Sequence, residues 1–316
     1  MAKQYELINE QIEGLKEKGL QFKDEEKAKR IIFRENYYYL ITGYEDVFLD
    51  LKDSTRTSEK YEEDTYFEEL YAIYKFDREL KNLVFDYINI IETNLKSIVG
   101  YIFSEKYGLK DYFLRENFRE EERYNNSFNK LKTEVDENLK RIFSSKNSDV
   151  KEYLNTYGYL PLFVLVKVFT FGNITTFYSL MKIEEKQKVA SGFSISPYSL
   201  ERYLRIINVI RNICAHGGIL FNVKLNTVLT PKESTYHRKL KISKIDDNYK
   251  YGINDFFAAI IGLKDLLTEE DFSRMYNKIK ELINEVKAEL DNLSYQNLLN
   301  SMGFPENYEL LDTLKK

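Results

Sequence analysis

Residues 206–222 read IINVIRNICAHGGILFN, and the fold follows from how this stretch is read. A helix advances by about 100° per residue. With Arg211 at the origin, Asn212 falls at roughly 100° and His216 at roughly 140°. Ile206, Ile207, Ile210, Ile213 and Cys214 collect on the other side. The pattern predicts an amphipathic helix with an aliphatic buried face and an outer face carrying a cation, an amide and an imidazole. Ser196 is placed to cap its start, Pro197 suits the first helical position, and Gly217-Gly218 ends it. Stepping back along the polar face brings in Asn208, Arg205 and Glu201.

Outward from this helix, composition supports an all-α fold. The 316 residues include 13 Gly and 4 Pro, too few for a turn-rich β protein, alongside many Lys, Glu, Leu and Ile. A net charge of −4 excludes a globally basic nucleic-acid binder, so any RNA surface must be a local patch. One cysteine rules out internal disulfides, and with two histidines it cannot furnish a dedicated structural zinc site. The charged N-terminus lacks a signal-peptide core, and the most apolar run, 160–171, is short and contains Lys167. A cytoplasmic protein with no membrane span and no cofactor is expected.

Four regions are expected. Residues 1–65 form an N-terminal helical region, broken near Gly14 and Gly19, with an aromatic stretch NYYYLITGYEDVF at 36–48 that reads as packing, with stacking on bases as the alternative, and an exposed linker over 50–65. Residues 66–222 form the helical core. Its stripe of Ile73, Leu80, Val84, Tyr87, Ile88, Ile91, Leu95, Ile98 and Ile102 predicts a long helix or kinked pair over 66–107. Asp77 projects into that stripe and Glu92 borders it; a carboxylate there needs a partner, either Arg78 or Lys96 nearby or, more consequentially, Arg211. Residues 111–158 predict an exposed helix with a loop at 144–148, and 160–181 a buried helix turning at Gly172. Residues 223–252 form a small irregular or β-like insertion carrying a basic patch of Lys232, Arg238, Lys239, Lys241 and Lys244, with His237 among them. Residues 253–316 return to helix, as a lid or dimer arm, with Thr268 and Asp271 as a capping pair.

The chemistry that best suits Arg211, Asn212 and His216 is RNA cleavage. RNA carries its own nucleophile, the 2′-OH, so an enzyme must take one proton, give another to the leaving oxygen and offset phosphate charge. Histidine serves either proton role, its ordinary pKa being near 6.5, and arginine is the permanent planar cation for phosphate oxygens. Cys214 lies about 200° from His216 on the helix and belongs to the core. One helix supplies one histidine; two copies across a two-fold axis supply two, and His237 is the intrachain alternative.

Four blocks resemble a known family in their order along the chain: NYYYLITGYEDVF at 36–48, YKFDRELKNLVFDYINIIE at 74–92, LPLFVLVKVFTFGNITTFY at 160–178 and RNICAHGGILFN at 211–222. They are similar to the Abi (abortive infection, AbiD/AbiF-like) phage-resistance proteins of the HEPN group, whose motif is an Arg, often a polar residue, three variable positions and His. The resemblance implies a HEPN-like helical bundle and a metal-independent endoribonuclease with a composite site at a homodimer interface. It also implies a phage-defence or toxin–antitoxin setting with RNA as substrate and as a regulatory partner. By this resemblance Arg211, Asn212 and His216 inherit the catalytic roles and Glu92 a site-shaping one; the residue pattern itself adds Asp77 and Asn208 as site-shaping residues and Arg205 and the 232–244 patch as RNA contacts. Many relatives carry another His and a basic residue just after the motif His, and a Trp before the final Asn, where this chain has Gly217, Ile219 and Phe221; losing a cation there either weakens phosphate binding or shifts it to the 232–244 patch. The alternative is a non-catalytic protein that holds a structured noncoding RNA.

Overall fold

The apolar stripe over 66–107 becomes one continuous helix, and the other elements are laid around it. The computed structural model describes residues 7–50, 60–144, 148–229 and 235–315. Helices α1 (Ile8–Glu17), α2 (Glu25–Glu35) and α3 (Tyr37–Ile41) precede the long α4 (Phe67–Tyr107). Then come α5 (Asn125–Ser144), α6 (Asp149–Tyr157), α7 (Leu162–Leu165), α8 (Phe171–Leu180), α9 (Ile183–Ser191) and α10 (Pro197–His216). After α11 (Tyr236–Lys239) a short hairpin, β1 (Lys244–Ile245) paired antiparallel with β2 (Asn248–Tyr249), leads to α12 (Phe256–Leu266), α13 (Glu269–Lys287) and α14 (Asn292–Met302). The protein is mainly all-α, as composition predicted. No helix among the described residues is long and apolar enough to cross a membrane.

At 41 residues α4 is about 60 Å long. Leu80, Val84, Ile88, Ile91 and Leu95 on its inner stripe are fully buried, against α7, α9, α10 and α13. α12, FFAAIIGLKDL, is buried on every side and packs on α10, which a helix apolar all round must do. Its Asp265 accepts hydrogen bonds from the hydroxyls of Tyr203 and Tyr236, at 2.8 and 2.7 Å, tying α10 and α11 to the same buried carboxylate.

Several expectations need correction. Gly14 does not break the first helix, which runs through it to Glu17; the break is at Gly19, whose φ of 99° a side chain would resist. Of the expected linker, residues 51–59 lie outside the described residues; its far end is anchored, where Tyr61 and Thr65 are buried and the Tyr61 hydroxyl donates to Glu45 at 3.1 Å. α5 is not merely exposed: Phe128, Leu131 and Val135 pack inward against α8. The buried helix of 160–181 is interrupted before Gly172, because the Thr170 hydroxyl accepts from the Asn173 N–H and starts α8 anew. The C-terminal helices are core: α13 buries Phe272, Met275, Tyr276, Ile279 and Ile283 along α4. Thr268 caps it as expected, its hydroxyl also bonding the Asp271 carboxylate at 2.8 Å.

Asp255 caps α12 through the Ala258 N–H at 3.0 Å while almost wholly buried. Burial raises its carboxyl from its ordinary 3.8 to about 6, against the pull of the N–H groups of Ala258 and Gly252. The folded state therefore binds this proton more tightly than the unfolded chain, so the contribution is full below the unfolded pKa and is lost as pH rises through about 6. Measured by urea denaturation, the stability of wild type relative to Asp255→Asn should fall by about 2–3 kcal/mol between pH 4 and pH 7. A flat difference over that range would contradict the assignment.

Candidate active site at the end of the motif helix

α10 forms as its sequence requires. The Ser196 hydroxyl accepts from the Ser199 N–H at 3.0 Å, Pro197 occupies the first turn, and Leu200, Tyr203, Leu204, Ile206, Ile207 and Ile210 are buried. The helix stops because Gly217 adopts φ 74°, and the N–H of Gly218 bonds the Ile213 carbonyl at 3.0 Å. His216, the last helical residue, is exposed. Arg205, Val209 and Asn212 are exposed behind it at helical spacing, forming one open ridge, while Asn208 is half-buried beside it. Arg211 lies to one side of the ridge, half-buried, with its guanidinium 5.7 Å from the Phe85 ring of α4. Its Nε is buried without a hydrogen-bond partner among the described residues.

The segment after α10 is fixed by Asp77, which is 0% exposed. One carboxylate oxygen accepts from the N–H groups of Leu220 and Phe221, at 3.0 and 2.8 Å. The other accepts from the Tyr44 hydroxyl at 2.9 Å and faces Lys81 Nζ at 3.1 Å. Lys81 also donates to the Gly218 carbonyl at 3.0 Å. Burial, and then the negative charge of Asp77, raise the Tyr44 phenol far above its ordinary value, so it stays a donor. Its ring stacks on Phe221 at 5.8 Å. Neither acid therefore aims Arg211. Asp77 holds the chain that follows the motif, and Glu92 takes the local partner, Lys96, at 2.7 Å.

A cavity of about 600 Å³ opens beside His216. Its walls include Glu35, Tyr38, Tyr39, Tyr74 and Lys81. The aromatic stretch thus divides: Tyr44 packs inward, whereas Tyr38 and Tyr39 remain 60% and 64% exposed on the cavity wall. Gly43 suits this approach, because a Cβ there would lie 2.9 Å from the Tyr39 carbonyl oxygen and 2.6 Å from the end of the Ile219 side chain. Arg211 does not line this cavity. Lys81 is the cation that sequence reasoning missed. Its only signal was its position four residues after Asp77, on the same helical face.

The other candidates lie elsewhere. Arg238, Lys239, Lys241 and Lys244 are exposed, and Lys232 is outside the described residues. α11, which carries Arg238 and Lys239, is anchored through Tyr236 and Asp265 at the level of Tyr203, about 20 Å along α10 from His216 at 1.5 Å per residue, and Lys241 and Lys244 follow it in the chain. The structure does not bring patch and motif into one site. His237 is fully buried, with Nε2 2.8 Å from the Gly252 carbonyl oxygen and its ring stacked on Tyr249, so it is no second proton-transfer group. Arg205 and the buried Lys186 both pair with Glu201. Cys214 is half-buried against the core, and burial pushes its thiol up to about 12, which removes it as a nucleophile.

The molecule is a mainly α-helical protein whose motif helix ends in an exposed histidine beside a tyrosine-lined cavity. Residues 30–222 match the model of the Abi-like protein family, and the chain belongs to that family. The matched span begins just before the aromatic stretch and ends at Asn222, so it contains Asp77, Lys81 and the whole motif. No curated protein and no solved structure matches the chain.

Proposed function

We propose that this Abi-like protein is a HEPN-type endoribonuclease acting in abortive-infection defence against phage, cleaving RNA without a metal at a site shared by two copies of the chain. The observation that carries this reading is the disposition of the two histidines. His216 is exposed at the end of α10 beside a cavity, and His237 is buried against the Gly252 carbonyl. Cleavage by the 2′-OH wants two proton-transfer groups, and a single chain offers one accessible imidazole. Two copies of the open ridge Arg205, Val209, Asn212 and His216, related by a two-fold axis, supply the second.

In the proposed reaction one His216 takes the 2′-OH proton as that oxygen attacks phosphorus. The other, protonated, gives its proton to the 5′ oxygen as the P–O5′ bond breaks. The products are a 2′,3′-cyclic phosphate and a 5′-hydroxyl. Arg211, whose buried Nε has no partner among the described residues, stabilises the added charge on the phosphate oxygens. Asn212, exposed one turn before His216, orients the phosphate or the imidazole.

The test is incubation of the purified protein with single-stranded RNA in EDTA, beside the same RNA carrying a 2′-deoxy sugar at the cleaved position. Cutting of the first and none of the second is expected. Equal cutting of both would overturn the mechanism, and tight, salt-sensitive binding with no cutting would make the protein an RNA holder.

A further inference from the structure

We propose that the cavity beside His216 is a nucleobase subsite that stacks one base of single-stranded RNA on the face of one of the two rings Tyr38 and Tyr39, with the other ring against the edge of that base, and uses Glu35 to favour guanine next to the cleaved phosphate. The proposal rests on the ribonuclease reading for the position of the cut, although base binding can be measured without it.

Two neighbouring aromatic rings exposed on a cavity wall offer a stacking platform. Tyr38 and Tyr39 are 60% and 64% exposed, set edge to face with centroids 6.0 Å apart. Bases of single-stranded RNA stack on such rings, whatever their identity. The cavity volume of about 600 Å³ lies within the usual range for small-ligand sites. A peptide would also meet tyrosines, but the cation and imidazole at the same cavity favour an anionic chain. Lys81 is held there by Asp77 and Gly218, and His216 stands beside it.

Selection comes from Glu35, at the C-terminal end of α2. One of its oxygens accepts from the Tyr74 hydroxyl at 2.8 Å, and no described residue engages the other. Tyr74 is itself set between Tyr71 and Tyr44, with centroids 5.9 and 5.4 Å away. Burial, and then the bond to Glu35, push its phenol up to about 12, so it is a fixed donor that holds the carboxylate in place. An ionised carboxylate only accepts hydrogen bonds. Guanine presents two neighbouring N–H groups on its Watson–Crick edge. Adenine and cytosine set an acceptor nitrogen beside their amino group, and uracil flanks its N–H with carbonyl oxygens. Guanine is the base this arrangement prefers.

The test has a cleavage arm and a binding arm. Wild-type protein is given a mixed-sequence single-stranded RNA and the cut sites are mapped. Guanine should be enriched at one fixed position beside the cut, Glu35→Gln should reduce that enrichment about tenfold, and Tyr38→Ala with Tyr39→Ala should lower kcat/KM by about tenfold or more. Tyr38→Trp with Tyr39→Phe should restore most of the loss. Random bases beside the cut, unchanged in Glu35→Gln, would overturn the proposal while leaving the ribonuclease reading intact. In the binding arm, His216→Ala protein is titrated with oligonucleotides that differ only in one guanine replaced by adenine or uracil. If wild type cuts nothing, the ribonuclease reading fails, and a guanine preference that Glu35→Gln abolishes still upholds the subsite. Equal affinity for all three oligonucleotides sinks it.

Discussion

His216→Ala and Arg211→Ala are each expected to abolish RNA cleavage for practical purposes while leaving the protein folded. Removing a general acid or base costs about 10²- to 10⁴-fold in rate. In a symmetric site one substitution removes both imidazoles at once. Loss of the guanidinium that offsets phosphate charge costs about 10²- to 10³-fold. Arg211→Lys should recover little, because an ammonium lacks the planar fork and would not sit over the Phe85 ring in the same way. Stability should change little for His216, which is exposed, and modestly for Arg211, which is half-buried. The rate is read from gel-resolved cleavage of a labelled RNA, and folding from thermal melts of the same preparations. Undiminished cutting by both variants would remove the assignment.

Asp77→Ala should have the largest effect on stability, about 3–5 kcal/mol, the cost of removing one partner from a buried charge pair. Four donors converge on this carboxylate: the Tyr44 hydroxyl, the N–H groups of Leu220 and Phe221, and Lys81. Without it, two buried backbone N–H groups and a phenol lose their acceptor and Lys81 loses its counter-charge. Asp77→Asn keeps an acceptor but not the charge, and should cost about 1–3 kcal/mol. Because the bonds fix the chain just after Gly217 and Gly218, a folded Asp77→Asn protein should also cleave more slowly. Urea denaturation with an unchanged slope would give the stability difference, and a loss below about 1 kcal/mol for Asp77→Ala would show that the network carries little.

Much of this site was legible because its signals are local. Ser196, Pro197 and Gly217 bound the motif helix, and the aliphatic face of 206, 207 and 210 is buried as its spacing required. Asp77 was conspicuous as an acid in an apolar stripe, but its partners were not. Two of the four are backbone N–H groups 143 and 144 residues away, and a backbone group leaves no mark in a sequence pattern. The same reason hid Lys81, whose second contact is a carbonyl. Glycine punctuation misled twice, at Gly14 and Gly172, because one glycine inside a helix costs only about 1 kcal/mol and packing overrides it. The C-terminal helices were periodic enough to find, yet nothing in their own pattern states that α13 lies along α4 and not over a cleft. Tyr38, Tyr39 and Tyr44 share one short stretch and one residue type, and only the fold separates the buried ring from the exposed two.

The central claim is that His216 acts only when paired with its copy, and the most direct measurement is cleavage by protein of known oligomeric state. Val209, 41% exposed amid the polar ridge, is the residue at which to separate the copies. A Val209→Glu substitution there should repel its own copy without disturbing the core. Sedimentation and RNA cleavage in EDTA are measured on the same samples across a dilution series, for wild type and for Val209→Glu. The account predicts that specific activity follows the dimer fraction, and that the monomeric variant, with an unchanged melt, is at least about 100-fold slower. Full specific activity in a proven monomer would contradict it.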